Sequence, residues 1–177
     1  MKLKNIALST AMAAVMMSGV AQAADSGQVS FMGAVTAKTC DIETSVNGAV
    51  TDLVQLGTVV AGSGDAGKSE KEFTLKIKDA ATCDVTATPA AFVSWNGSSL
   101  NSQGLANSNG TAADAEIKLT AVNSKTPNTA VNSTKNEVEF VAADVKTAGG
   151  FKFKATLIPG SDKGSVDTSA AFAVRYQ

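Results

Sequence analysis

The chain has 177 residues, 44% hydrophobic but only 5% aromatic, with 15 basic against 16 acidic side chains and no histidine. The length suits one domain or two very small ones, and a net charge of −1 leaves no broad basic face for nucleic acid. Without histidine, Ser-His-Asp and Cys-His catalysis and the usual mixed zinc sites are excluded, and three prolines with 15 glycines are too few for a collagenous or disordered chain.

The first segment reads as a secretory signal peptide. Lys2 and Lys4 precede a mostly apolar run from Ile6 to Val20, and Ala21-Gln22-Ala23 is a small-x-small cleavage site. The run is too short for a membrane anchor and has no basic flank after it. Cleavage after Ala23 leaves 154 residues and, since two lysines go with it, a net charge of −3. In the oxidising compartment that follows, Cys40 and Cys83 are expected to form one disulfide rather than a redox motif. Closing that loop is worth roughly 4 kcal/mol of chain entropy.

Beyond the signal segment, apolar residues alternate with a period of two. Val29, Phe31, Gly33 and Val35 share one face; so do Phe73, Leu75 and Ile77, with Lys76 and Lys78 opposite. Ile117, Leu119 and Ala121 form a third set, and Phe151, Phe153, Ala155 and Leu157 a fourth, with Lys152 and Lys154 outward. The last is Ala170, Phe172, Val174 and Tyr176. Turn dipeptides separate the sets: Asn47-Gly48, Asn96-Gly97, Asn109-Gly110, Gly149-Gly150 and Pro159-Gly160. Ala-rich pieces such as Val141 to Ala148 are too short to mark a helix. Seven or so short strands with frequent turns predict an all-β, immunoglobulin-like sandwich. The polar tract from Gly97 to Ala113 is expected to be an exposed loop.

Gly62-Ser63-Gly64-Asp65-Ala66-Gly67-Lys68-Ser69 matches the phosphate-cradling G-x-x-x-x-G-K-[ST] pattern letter for letter. That loop works because backbone N–H groups and a following helix N-terminus converge on phosphate. Here a strand pattern, Phe73/Leu75/Ile77, follows instead, so a flexible loop is expected and no nucleotide site. Other candidates are equally thin. Asp41 and Glu43 form no specified acid pair, and no calcium loop of D-x-D-x-D-G type appears. Asn96, Asn109 and Asn132 open N-x-[ST] sequons that matter only in a host that glycosylates them. Trp95 beside Asn96-Gly97 could serve as a sugar platform, although one tryptophan is more often a core residue. No enzyme and no cofactor is expected.

The two ends of the exported portion carry the most specific signal. Gly27-Gln28-Val29-Ser30-Phe31-Met32-Gly33-Ala34-Val35-Thr36-Ala37-Lys38-Thr39-Cys40 opens it; Val54-Gln55-Leu56-Gly57-Thr58-Val59 follows, and a second cysteine comes after Phe73 to Asp79. Ala171-Phe172-Ala173-Val174-Arg175-Tyr176-Gln177 closes it, with Tyr176 penultimate and Gly164 thirteen residues before the end. In these stretches the chain resembles the fimbrial (pilus) subunits of the bacterial chaperone–usher pathway, close to the type 1 major pilins.

The resemblance implies an incomplete immunoglobulin-like β-sandwich that lacks its last strand and is completed by a donor strand. It divides the chain into a signal peptide (1–23), an N-terminal donor-strand extension (24–34) and a pilin domain (35–177). Gly27, Val29 and Phe31 would face inward from the extension, and Gly164, Phe172, Val174 and Tyr176 would belong to the strand beside the groove. Partners implied are other copies of the chain, a periplasmic chaperone, an outer-membrane usher, and minor pilins or a tip adhesin. The product would be an extracellular fimbrium on a Gram-negative surface, reached through the periplasm, that supports adhesion. Cleavage after Ala23 places three residues before Gly27, a shorter arm than in close type 1 relatives. The alternative is a self-contained secreted sandwich that binds a ligand through loops such as Gly97 to Ala113.

Overall fold

A computed structural model of the chain describes residues 40–79, 81, 83, 85 and 88–177. The expected signal peptide, the cleavage site and the donor residues Gly27, Val29 and Phe31 lie outside the described residues.

Among the described residues ten antiparallel strands form two sheets. In chain order they are β1 (Ile42–Val46), β2 (Ala49–Val50), β3 (Ser69–Ile77), β4 (Ala90–Asn96), β5 (Leu105–Ala106), β6 (Glu116–Ala121), β7 (Thr129–Val131), β8 (Glu137–Val141), β9 (Phe151–Ile158) and β10 (Ala171–Tyr176). The larger sheet runs β2-β1-β3-β9-β6-β5, with β7 also on β6; the smaller runs β10-β4-β8. Ten strands replace the expected seven because β2, β5 and β7 span only two or three residues, too few for alternation to register. Among the described residues one α-helix, α1 (Ala142–Ala148), also forms where no helix was expected. It buries Ala142 and Val145 and ends on Gly149 in the left-handed region at φ 77°, the usual terminator of a helix.

Four of the five predicted sets contribute to one core, although Leu157 packs in a smaller cluster with Ala112 and Ala115; the Val29, Phe31, Gly33 and Val35 set lies outside the described residues. Phe73, Leu75, Leu119, Ala121, Phe151, Phe153 and Ala155 of the larger sheet pack against Ala91, Val93, Trp95, Val138 and Phe140 of the smaller. The chain has few aromatic residues, but they are concentrated there. Phe153 stacks on Phe73 with ring centroids 5.7 Å apart and meets the Trp95 ring at 5.2 Å. Phe140 and Phe151 meet edge-on at 5.0 Å, the offset and T-shaped contacts that aromatic quadrupoles favour. Lys152 and Lys154 alternate with these residues along β9, and Lys154 pairs with Glu70 of β3 at 3.3 Å.

Cys40 and Cys83 are joined by a disulfide with Cα atoms 5.7 Å apart. The bond fastens the start of β1 to the chain leaving β3, two strands already in register from Ile42↔Ile77 to Ser45↔Thr74. The Gly62–Ser69 stretch has the conformation expected of a loop. Gly64–Gly67 makes one 3-10 turn and β3 begins at Ser69, so no α-helix N-terminus follows the motif.

Candidate functional site

The smaller sheet ends abruptly on one side. Among the described residues β10 has one strand neighbour, β4, registered from Ala171↔Asn96 to Tyr176↔Ala91. Ala90 and Gln177 exchange both backbone hydrogen bonds, at 3.1 and 3.0 Å. In an antiparallel ladder that phase alternates strictly. Ala171, Ala173 and Arg175 therefore bond to β4, whereas Phe172, Val174 and Tyr176 turn their N–H and C=O groups toward the open side. The same three residues direct their side chains at the core: Phe172 and Val174 are partly buried there and Tyr176 is 4% exposed.

A groove lies beside this edge. At one end a cavity of about 210 Å³ is lined by Leu53, Leu56, Phe73, Trp95, Leu119 and Phe172, among others. It continues into a cleft of about 560 Å³ between residues 53–59 and residues 164–168, floored by Ile117 and Leu157. A third hollow of about 300 Å³ follows, among Val59, Val60, Ala112, Ala115, Gly164 and Val166. Beyond it the walls meet, where the Gly62 N–H donates to the Gly160 carbonyl at 2.6 Å.

Neither wall belongs to a strand. Residues 51–60 join no strand ladder and are fixed at Thr51, whose N–H donates to the Thr44 carbonyl at 3.0 Å, and at Leu56, whose carbonyl accepts from Ser69 Oγ. The segment leaves large apolar side chains in solvent, Leu53 at 63% and Val60 at 73% exposure. An unpaired edge beside a long apolar hollow is a template for strand addition and an aggregation hazard if left open.

The polar groups nearby are arranged for packing rather than chemistry. Burial pushes the Tyr176 phenol up to about 12, and neither its hydroxyl nor Trp95 Nε1 has a hydrogen-bond partner among the described residues. Arg175 grips Glu137 through two hydrogen bonds, 2.7 and 3.1 Å, and lies 3.9 Å over the Phe92 ring. That contact ties β10 to β8 across the outer face of the sheet.

The structure thus places the sequence-derived residues unequally. Gly164 and Phe172 line the groove; Val174 and Tyr176 are on the same edge strand but outside the three hollows. Sequence reasoning identified no role for Leu53, Val60 or Ile117, although the Val54–Val59 stretch was a matching motif. The Gly97–Ala113 tract differs from the exposed loop expected. It contains β5, buries Leu105, Ser99 and Ala112, and binds residues 165–169 through several of its polar groups.

No family model matches the chain. Over 156 residues it is 38% identical to the F107 fimbrial protein of Escherichia coli, across 87% of this chain and 88% of that protein. The chain belongs to the fimbrial subunits. A fimbrial subunit assembles with other subunits of its fimbria, which requires exposed, complementary surface.

Proposed function

We propose that the groove beside β10 captures a β-strand from the N-terminal extension of another copy, so that subunits join head to tail into a fibre. Residues 24–34 supply the strand, with Gly27, Val29 and Phe31 inward and Gln28 and Ser30 outward. A periplasmic chaperone occupies the groove first by pairing with β10, and at an outer-membrane usher the next subunit's extension displaces it. The subunit then forms part of the main shaft of a surface fimbria that supports adhesion, alongside minor pilins or a tip adhesin.

The observation that supports this reading most is the edge of β10, where Phe172, Val174 and Tyr176 have free backbone groups and inward side chains and the strand leads at Phe172 into an apolar groove with exposed walls. Strand addition satisfies such an edge through main-chain hydrogen bonds and fills its pockets with alternate side chains. Burying a valine and a phenylalanine contributes about 3–6 kcal/mol of transfer free energy before ladder bonds are counted.

The test compares the natural chain with a rearranged one in which residues 24–34 follow Gln177 through a short turn linker. The donor would then lie antiparallel to β10 and fill the groove in cis. The expected result is a stable monomer from the rearranged chain, while the natural order polymerises, aggregates or melts far lower. A natural chain that is already a stable monomer, and is weakened by the rearrangement, would refute strand capture.

A further inference from the structure

We infer that Asn107 and Asp114 are positioning residues for strand capture: their side chains hold the irregular segment 160–168 in place as one wall of the groove. The inference rests on the strand-capture reading above and concerns what sets the shape of the acceptor.

Residues 159–170 form no strand or helix, yet they must present a continuous wall opposite residues 53–59. The facing loop reaches them with three backbone hydrogen bonds, from the Ser108 and Asn109 N–H groups to the Asp167 carbonyl at 3.3 and 3.0 Å and from the Ala112 N–H to the Ser165 carbonyl at 3.1 Å, and two of its side chains add five more. Asn107 Oδ1 accepts from the Asp167 and Gly110 N–H groups, both at 2.9 Å. Its Nδ2 donates to the Ser165 carbonyl at 3.0 Å and the Ala112 carbonyl at 2.7 Å. Those four bonds use the whole capacity of a side-chain amide. Asp114 Oδ2 accepts from the N–H and hydroxyl of Ser161 at 2.7 and 2.6 Å, and Oδ1 accepts from the Asp162 N–H at 3.0 Å. Bonds to a carboxylate are the stronger kind.

The segment is seated closely enough to need glycine at the contact points. A Cβ on Gly160 would come within 2.6 Å of the Asp114 backbone oxygen, and one on Gly164 within 2.8 Å of the Ala112 nitrogen. Neither Asn107 nor Asp114 lines any of the three hollows. Removing either side chain leaves the apolar lining unchanged and alters only where the wall stands. A site held loosely binds less well because the ordering must then accompany binding.

The test uses the full chain as wild type, Asn107→Ala, Asp114→Ala and the conservative Asp114→Asn, with a fluorescein-labelled peptide of residues 24–34 as probe. Anisotropy gives peptide affinity, and hydrogen exchange follows the amides of Ser161, Asp162 and Asp167 against those of β9. The alanine variants are expected to lose about tenfold in affinity, the equivalent of one charge-assisted hydrogen bond, and to exchange faster at residues 161–168 alone. Asp114→Asn, which keeps one acceptor, is expected to recover part of both. Unchanged affinity with a loosened segment overturns the positioning role while leaving strand capture intact. Faster exchange spread into β9 also overturns it, by showing a general structural role. Failure of the wild type to bind peptide removes the capture reading and this inference with it.

Discussion

Leu53 offers a direct way to separate assembly from folding. Its side chain is 63% exposed and lines the groove, whereas Val50, 62% exposed three residues earlier, lines none of the three hollows. Full burial of a leucine is worth about 1.5–3 kcal/mol, so covering the exposed part contributes about 1–2 kcal/mol to whatever fills the groove. At 1.4 kcal/mol per decade, Leu53→Ser should weaken capture of a residue 24–34 peptide by roughly 5- to 30-fold. Because the side chain is already in water, the stability of the unoccupied subunit should move by less than about 0.5 kcal/mol. Val50→Ser should leave both quantities unchanged. Fluorescence anisotropy measures the first and urea unfolding the second. Equal losses of affinity in the two variants, or a Leu53→Ser subunit as damaged as a core mutant, would refute the assignment of this wall.

Four further outcomes follow from particular contacts. Replacing both Cys40 and Cys83 with serine should lower stability by about 4 kcal/mol, the chain entropy of a 43-residue separation; urea unfolding giving a loss below about 1 kcal/mol would refute that origin. Tyr176 is the sole tyrosine, so absorbance near 295 nm reports it alone, and its midpoint should lie about 12, raised by burial. The unfolded chain then releases this proton first, so stability should fall between the ordinary tyrosine value and about 12; a midpoint near the ordinary value would show an exposed ring. The Asp114 carboxyl is held below its usual range, first by the Ser161 hydroxyl and then by the Asp162 and Ser161 N–H groups. That contact's stabilisation is complete above the ordinary aspartate value and is lost as pH falls through the lowered one, so the Ser161 and Asp162 amide shifts should titrate there, and a midpoint at or above the ordinary value would contradict it. Gly164→Ala should cost about 1–3 kcal/mol by urea unfolding, because φ is +153° and the added methyl meets Thr111 and Ala112.

How legible these features are in the sequence follows from how local their causes are. β3, β6, β9 and β10 announce themselves because one face is apolar and the other carries Lys76, Lys118, Lys152, Lys154 or Arg175. The Asn47-Gly48 signal is equally local: both residues have positive φ, 51° and 86°, joining β1 to β2 in a tight hairpin. β4 escaped because Phe92 is a large apolar residue on the outer face, covered by Arg175, which blurs the alternation of Ala91, Val93 and Trp95. β8 was readable, with Val138 and Phe140 between Glu137, Glu139 and Val141, but it is only five residues long. Of the groove, the β10 edge was legible from Phe172, Val174 and Tyr176. The 160–168 wall was not, since its attachment depends on isolated backbone and side-chain hydrogen bonds to residues far away in the chain, such as Asn107 to Asp167, 60 residues apart. Such bonds have no periodicity to detect.

The geometry of β10 also explains why one strand could complete both the hydrogen bonding and the core of this subunit. The residues with outward-facing backbone groups, Phe172, Val174 and Tyr176, are the ones whose side chains enter the core. A strand pairing with them must present alternate side chains to the same interior. In the sequence of residues 27–31, glycine, valine and phenylalanine alternate with glutamine and serine, so if these residues are the donor, as proposed, one register would bury the apolar set. A slip by one residue would turn Gln28 and Ser30 to the apolar interior and Val29 and Phe31 to solvent, which would make the wrong register costly. On the proposed reading the donor arm and the acceptor groove are different surfaces of the same chain, so each union would leave one of each unused. Such contacts would not close on themselves, and the assembly they produce would be an open filament.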